Sequence, residues 1–291
     1  MNMIRNSAVL LLGLALGCSS ISSSSRIPIG VCTGLGDAAE LKAIGFDFIE
    51  GGVWWALDPK KPDAEWAETK RQILEAPLPM VSCNGFLPGE LKVSDPRVDF
   101  TPALDYAEKA CRRADEIGLK YIVFGSGGAR RFPDDLDRAA CRARFVEFCR
   151  TLAARIADCR VTIVFEPLNS RECNFLNTVA EGIELVDEVD SPRIRLLADF
   201  YHMLVEGEGP DSLVQAGDRL RHVHIAELNG RTWPGCNGED FGPYFAALRQ
   251  IGYTGGVSIE GGLPKGDAAE HAVMKRRAAT CLDSGLNGSA R

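Results

Sequence analysis

The sequence predicts a single (β/α)8 TIM barrel in the α/β class, on three observations. Short apolar runs alternate with longer amphipathic ones eight times, no composition break divides the chain, and the first run is not followed by a GxGxxG loop. The apolar runs are 27–32, 46–51, 80–86, 121–125, 162–168, 194–198, 222–226 and 257–260. Each is short, rich in Val, Ile or Phe, and not strictly alternating, as expected for strands buried on both faces of a parallel sheet. The clearest helical stretches between them are 102–119, 134–159, 176–189 and 241–251. Gly45, Gly118 and Gly252 each stand just before a strand, where a glycine ends a helix in the left-handed conformation. Eight such units favour a closed barrel over an open doubly wound sheet, and the missing glycine fingerprint argues against dinucleotide binding.

The barrel is expected over residues 26–291, preceded by an export segment over 1–25. Arg5 supplies a positive charge, and residues 8–16 form an apolar run too short to span a bilayer comfortably. The run 14–18, ending in Cys18, resembles a bacterial lipoprotein signal in which the cysteine is lipidated. The serine-rich stretch 19–25 then reads as a flexible tether. This implies an exported, periplasmic, membrane-anchored protein that touches the membrane only through its N-terminal lipid. An ordinary cleaved signal peptide is the alternative, and a cytoplasmic location follows if the segment is no signal. Ten cysteines without a CxxC pair sit mostly in apolar positions and read as buried thiols, a usage more cytoplasmic than exported. The net charge of -7 argues against nucleic acid as a partner.

The chemistry collects at the ends of the later strands. The fifth ends in Phe165-Glu166-Pro167-Leu168-Asn169, the sixth runs into Asp199-Phe200-Tyr201-His202, the seventh contains His222-Val223-His224, and the eighth ends in Ser258-Ile259-Glu260. Barrel strands converge on one rim at their C-terminal ends, where barrel active sites lie. Ionisable groups in apolar runs need partners, and a shared cation supplies one. Three carboxylates and one imidazole from Glu166, Asp199, His224 and Glu260 suit Mn²⁺, with Mg²⁺ or Co²⁺ as alternatives, better than Zn²⁺.

With these motifs in view, the sequence resembles the sugar isomerase/epimerase superfamily of xylose-isomerase-like barrels, and within it the ketose 3-epimerases. The stretch 166–178, Asp199-x-x-His202, His224-x-x-Glu227 and Ser258-Ile259-Glu260 carry the resemblance, which covers about residues 27–280. It implies a divalent metal held by Glu166, Asp199, His224 and Glu260, with Glu166 and Glu260 as the acid/base pair. It also implies a small sugar substrate contacted by Glu172 and His202, with Asn169 and Arg231 as further substrate-binding residues; Arg231 stands one residue away from the family's arginine. An acid/base pair flanking a metal-chelated ketone would epimerise a neighbouring carbon through an enediolate. The same parts would serve a lyase or dehydratase acting on a keto-sugar or inosose, and a non-catalytic sugar-binding lipoprotein is a more distant reading.

Other features are open at this level. The run Gly125-Ser126-Gly127-Gly128-Ala129-Arg130-Arg131 reads as an anion-binding loop or as a flexible loop with solvated arginines. Trp54 and Trp55, after the second strand, read as sugar-stacking residues or as ordinary packing. Glu50 and Asn84, ending the second and third strands, are expected to line the pocket without catalysing. His222 is expected to be a core histidine pointing away from His224.

Overall fold

The computed structural model describes residues 26–288. The expected export segment lies outside the described residues. Eight parallel strands close into a barrel in chain order: β1 (Ile29–Cys32), β2 (Phe48–Gly52), β3 (Met80–Asn84), β4 (Tyr121–Phe124), β5 (Thr162–Phe165), β6 (Ile194–Asp199), β7 (Leu220–Ile225) and β8 (Gly256–Ile259). β1 pairs with both β2 and β8, which closes the ring. The fold is the expected TIM barrel. Gly45, Gly118 and Gly252 all take positive φ, as helix-ending glycines do.

Several elements are shorter than the stretches expected, for local reasons. The helix expected over 176–189 starts only at Val179, because Leu176 has φ +60° and Thr178 caps the helix by accepting a hydrogen bond from the Glu181 N–H. The helix expected over 134–159 occupies Arg138–Arg155, with Asp137 accepting from the Ala140 N–H at its start. β3 stops at Asn84 because Gly85 turns the chain at φ +65°.

The barrel interior is layered, and its middle is polar. Near the bottom the Phe48 and Tyr121 rings pack on the His222 imidazole, with Tyr121 stacked at a centroid distance of 5.4 Å. Above them Glu50, Ser82, His222 and Ser258 form a fully enclosed polar layer. The catalytic candidates stand above that, at the C-terminal rim. His222 therefore faces the same interior as His224, which corrects the expectation. Side chains alternate along a strand, so residues two apart share a face, and the expected parity was wrong.

The glycine-rich loop after β4 is neither an anion cradle nor a flexible loop. Residues Gly127–Arg130 form a short helix, and Arg130 is completely buried. Its guanidinium donates to the carbonyls of Gly125 (2.6 Å), Glu166 (2.9 Å), Phe175 (2.9 Å) and Leu176 (3.3 Å). All of its nitrogens are thus engaged by backbone, so it ties the β4 loop to the β5 loop. Gly125 has a separate role: a Cβ there would lie 2.1 Å from Glu166 Oε2.

All nine cysteines among the described residues are free thiols, six of them buried, in line with the reading of small apolar side chains. Arg130→Met is expected to cost about 3–5 kcal/mol of stability, since four buried carbonyls lose their donor. The denaturation midpoint measures this, and Arg130→Lys should not restore it, because an ammonium lacks the planar fork. An unchanged midpoint would contradict this role for Arg130.

Candidate active site

Four successive strand ends deliver the expected ligand set. Glu166 follows β5, Asp199 ends β6, His224 lies in β7 and Glu260 follows β8. One donor atom from each lies within 4.8 Å of all the others. His224 is at the centre: its Nδ1 is 3.0 Å from Glu166 Oε1 and 3.4 Å from Glu260 Oε2. Glu166, Asp199 and His224 are buried, and Glu260 is half-buried. Three carboxylates this close repel one another, and their oxygens with one imidazole nitrogen form a donor set that suits a hard to borderline divalent cation. The residues present fit the expected metal.

Glu50 sets the orientation of this cluster. Its carboxylate is enclosed in the barrel and accepts four hydrogen bonds: from Ser82 Oγ (2.6 Å), Ser258 Oγ (2.8 Å), His222 Nε2 (2.7 Å) and His224 Nε2 (2.8 Å). A carboxylate only accepts, so His224 Nε2 carries the hydrogen and Nδ1 is the nitrogen turned to Glu166 and Glu260. Burial alone would raise the Glu50 pKa, but His224 and His222 outweigh it and hold the carboxyl well below the usual range. Burial would likewise lower His224, but Glu50 and Glu260 hold the imidazole well above its ordinary value. His222 goes the other way: burial pushes it down despite the pull of Glu50. Cys32 also has its thiol near Glu50 and His224. The Glu50 oxygens are already taken by four donors from Ser82, Ser258, His222 and His224, so Glu50 acts as hydrogen-bonded support under the site.

The two candidate acid/base carboxylates are tuned in opposite directions. Burial raises Glu166. At Glu260 burial also opposes ionisation, but His224 and Arg231 overcome it and lower the pKa. Asn84, at the end of β3, donates to Glu260 Oε1 at 2.9 Å and fixes that carboxylate from the other side.

The remaining expected residues gather around this cluster. His202 Nδ1 lies 2.8 Å from Asn169 Nδ2 and 3.2 Å from the Asn169 backbone nitrogen. Both are donors, so Nδ1 accepts and Nε2 carries the hydrogen. That Nε2 is buried with no hydrogen-bond partner, 3.5 Å from Asp199 Oδ2. Asn169 Nδ2 also donates to Glu172 Oε1 at 2.9 Å, so this buried amide holds two neighbouring polar side chains in place. Arg231 reaches the site despite its displacement in sequence. Its guanidinium donates to Glu260 Oε2 (2.5 Å) and Asp199 Oδ2 (3.3 Å), lies 3.7 Å from Glu172, and stacks 4.6 Å over the Tyr201 ring.

Glu227 makes that reach possible. It is fully buried and accepts from the backbone N–H groups of Gly235 (2.8 Å), Asn237 (2.5 Å), Gly238 (3.1 Å) and Glu239 (3.4 Å). One carboxylate thereby folds the whole loop after β7, including Arg231 at φ +48°. The supporting roles of Glu50, Asn84 and Asn169 depend on contacts between distant strands and loops that sequence does not display. The signal for Glu50 was present: it is a carboxylate inside an apolar strand, the same pattern that marks Glu166 and Glu260.

Comparison with known proteins gives a consistent frame. Residues 38–277 match the family model described as Xylose isomerase-like TIM barrel. An L-ribulose 3-epimerase of Methylomonas sp. (strain DH-1) is 42% identical over 228 residues, 74% of each protein. A 3-dehydro-D-guloside 4-epimerase of Escherichia coli (strain K12) is 30% identical over 244 residues, 79% of this chain and 87% of that protein. A crystal structure of a D-allulose 3-epimerase from Methylomonas sp. has a TM-score of 0.73 at 27% identity, covering 90% of this chain and 98% of that one.

Two outcomes are expected at this site. Glu50→Gln should weaken Mn²⁺ binding about 10- to 100-fold while the circular dichroism spectrum is retained, because it loosens the imidazole. Unchanged affinity by isothermal titration calorimetry would contradict the role given to Glu50. The raised pKa of His224 in the metal-free protein also has a direction: a proton on Nδ1 must leave when a cation binds there. Mn²⁺ affinity should therefore fall as pH falls, by about tenfold per unit where one proton is released. Calorimetry in buffers of different ionisation enthalpy counts that proton, and an affinity independent of pH would exclude it.

Proposed function

Because the chain belongs to the xylose isomerase-like TIM barrel family, we propose that it is a divalent-metal-dependent sugar epimerase or isomerase. The observation that carries this reading is the convergence of Glu166, Asp199, His224 and Glu260 within 4.8 Å on the barrel rim. The substrate is a ketose or keto-glycoside, the classes of sugar for which the related epimerases are named. Glu166, Asp199, His224 and Glu260 would hold the metal, with Mn²⁺ the best match to the donors. When bound, the metal would polarise the substrate carbonyl and lower the cost of charge developing on its oxygen.

The chain's own residues do the rest. Glu260, held by hydrogen bonds from Arg231 and Asn84, accepts the proton from the carbon beside the ketone. Glu166, across the cluster on the strand-five side, returns a proton to the opposite face. One C–H bond breaks and one forms, so the sugar leaves with that carbon inverted and the two carboxyls have exchanged protonation states. The reverse reaction uses the same pair with roles exchanged. His202 Nε2–H, buried without a partner, is available to donate to a substrate oxygen, and the Asn169 amide fixes that tautomer. Glu172 and Arg231 border the same space and orient the substrate hydroxyls. Arg231 also shields Glu260 and Asp199 from one another.

The test is reconstitution of the metal-free protein with Mn²⁺, followed by assay on D-allulose, D-fructose, L-ribulose and 3-keto-glycosides. Turnover of at least one sugar should require metal. Glu166→Gln and Glu260→Gln should each lower kcat by about 10²–10⁴-fold without unfolding the barrel. Near wild-type turnover in either variant would overturn its acid/base assignment.

A further inference from the structure

We infer that Trp54 forms a stacking subsite beside the reacting centre for a second, uncharged sugar ring, so that the substrate class is keto-glycosides extended by a ring. The inference rests on the epimerase reading above and narrows its substrate.

The two adjacent tryptophans have different environments. Trp55 is half-buried and packs against the core. Trp54 is 62% exposed, the only aromatic among the large exposed hydrophobic side chains of the described residues. An exposed indole on a loop would ordinarily sample many positions, but this one is seated. A Cβ on Gly52 would lie 2.2 Å from the Trp54 ring, and a Cβ on Gly85 would lie 2.7 Å from it. The ring therefore rests on bare backbone at the ends of β2 and β3, and a side chain at either position would push it off this seat.

The support beneath is rigid. Trp54 belongs to the short helix Val53–Ala56. The Trp66 indole N–H donates to the Ala56 carbonyl at 2.8 Å. The buried Arg113 donates to the carbonyls of Leu57 (2.7 Å), Asp58 (2.5 Å) and Lys61 (2.8 Å), which fixes the chain that follows. The ring is thus a flat apolar surface fixed from behind.

Its place on the rim gives it a use. Gly52 is the register partner of Asn84, and Asn84 donates to Glu260. Gly85 follows Asn84 directly. A sugar whose reacting carbon lies at Glu260 would therefore place any substituent directed toward β2 and β3 over the indole. The C–H face of a pyranose ring matches such a surface. A phosphate does not: the rim is rich in carboxylates, Arg130 is used up on backbone carbonyls, and Arg231 is paired with Glu260 and Asp199.

The full chain loaded with Mn²⁺ is compared with its Trp54→Ala and Trp54→Phe variants on two probes, D-fructose and 3-ketolactose. For 3-ketolactose, KM should rise about five- to tenfold in Trp54→Ala with kcat within about twofold, and Trp54→Phe should recover much of the loss. D-fructose kinetics and Mn²⁺ affinity should stay within about twofold of wild type. Saturation-transfer NMR provides a readout that needs no turnover. Protons of the 3-ketolactose ring without the ketone should receive saturation from the wild type and lose it in Trp54→Ala. Equal losses on both probes, or no saturation of that ring by the wild type, would overturn the subsite. A change of oligomeric mass in Trp54→Ala would instead assign the indole to an interface between copies of the chain. Absence of turnover on either sugar, with saturation transfer intact, would count against the epimerase reading and leave the subsite standing.

Discussion

The site depends on one enclosed carboxylate. Glu50 lies inside the barrel, where an unpaired charge would be prohibitive, and it is accommodated by two imidazoles and two hydroxyls contributed by β3, β7 and β8. The same bonds that satisfy Glu50 fix His224, and His224 in turn stands between Glu166 and Glu260. The candidate metal ligands are thus the upper surface of a polar column that begins well below the rim. An apolar barrel core of the usual kind would hold the strands as well, but it would leave His224 free to rotate and choose its tautomer. This column trades some packing for orientation, as supporting shells of metal sites commonly do.

Around that column the loops are held by buried charged groups acting on backbone. Arg130 collects four carbonyls from the loops after β4 and β5. Glu227 collects four N–H groups from the loop after β7. Arg113 donates to three carbonyls of the loop after β2. These loops have little regular structure, so their backbone groups would otherwise need water. One charged side chain per loop replaces that water and gives a single loop conformation. Function then sits on well-fixed irregular backbone, which is how a common barrel supports a particular chemistry.

Much of this was legible in the sequence because the barrel writes its topology as periodicity. Eight apolar runs became eight strands, and the glycines before them became left-handed helix ends. The convergence of Glu166, Asp199, His224 and Glu260 was legible because charged residues in buried strands are costly and demand a joint explanation. What sequence did not show was pairing across the barrel. Glu50 and His224 are 174 residues apart, and only closure of the ring brings them to 2.8 Å. Arg130 was hidden for a related reason: a glycine-rich, arginine-containing loop looks solvated until the carbonyls that surround it are known. His222 was a different case, since correct strand parity alone places it beside His224.

The chemistry proposed for this site is movement of a carbon-bound proton of a sugar by Glu166 and Glu260 under control of a divalent cation. The most direct measurement is hydrogen exchange in D₂O, following the sugar by NMR with Mn²⁺ present and after its removal. Deuterium is expected at the inverted carbon beside the ketone, only with Mn²⁺, alongside a new epimeric sugar. Epimer formed without deuterium at that carbon would contradict proton transfer by exchangeable carboxyl groups, and an eliminated product would assign the site to a lyase.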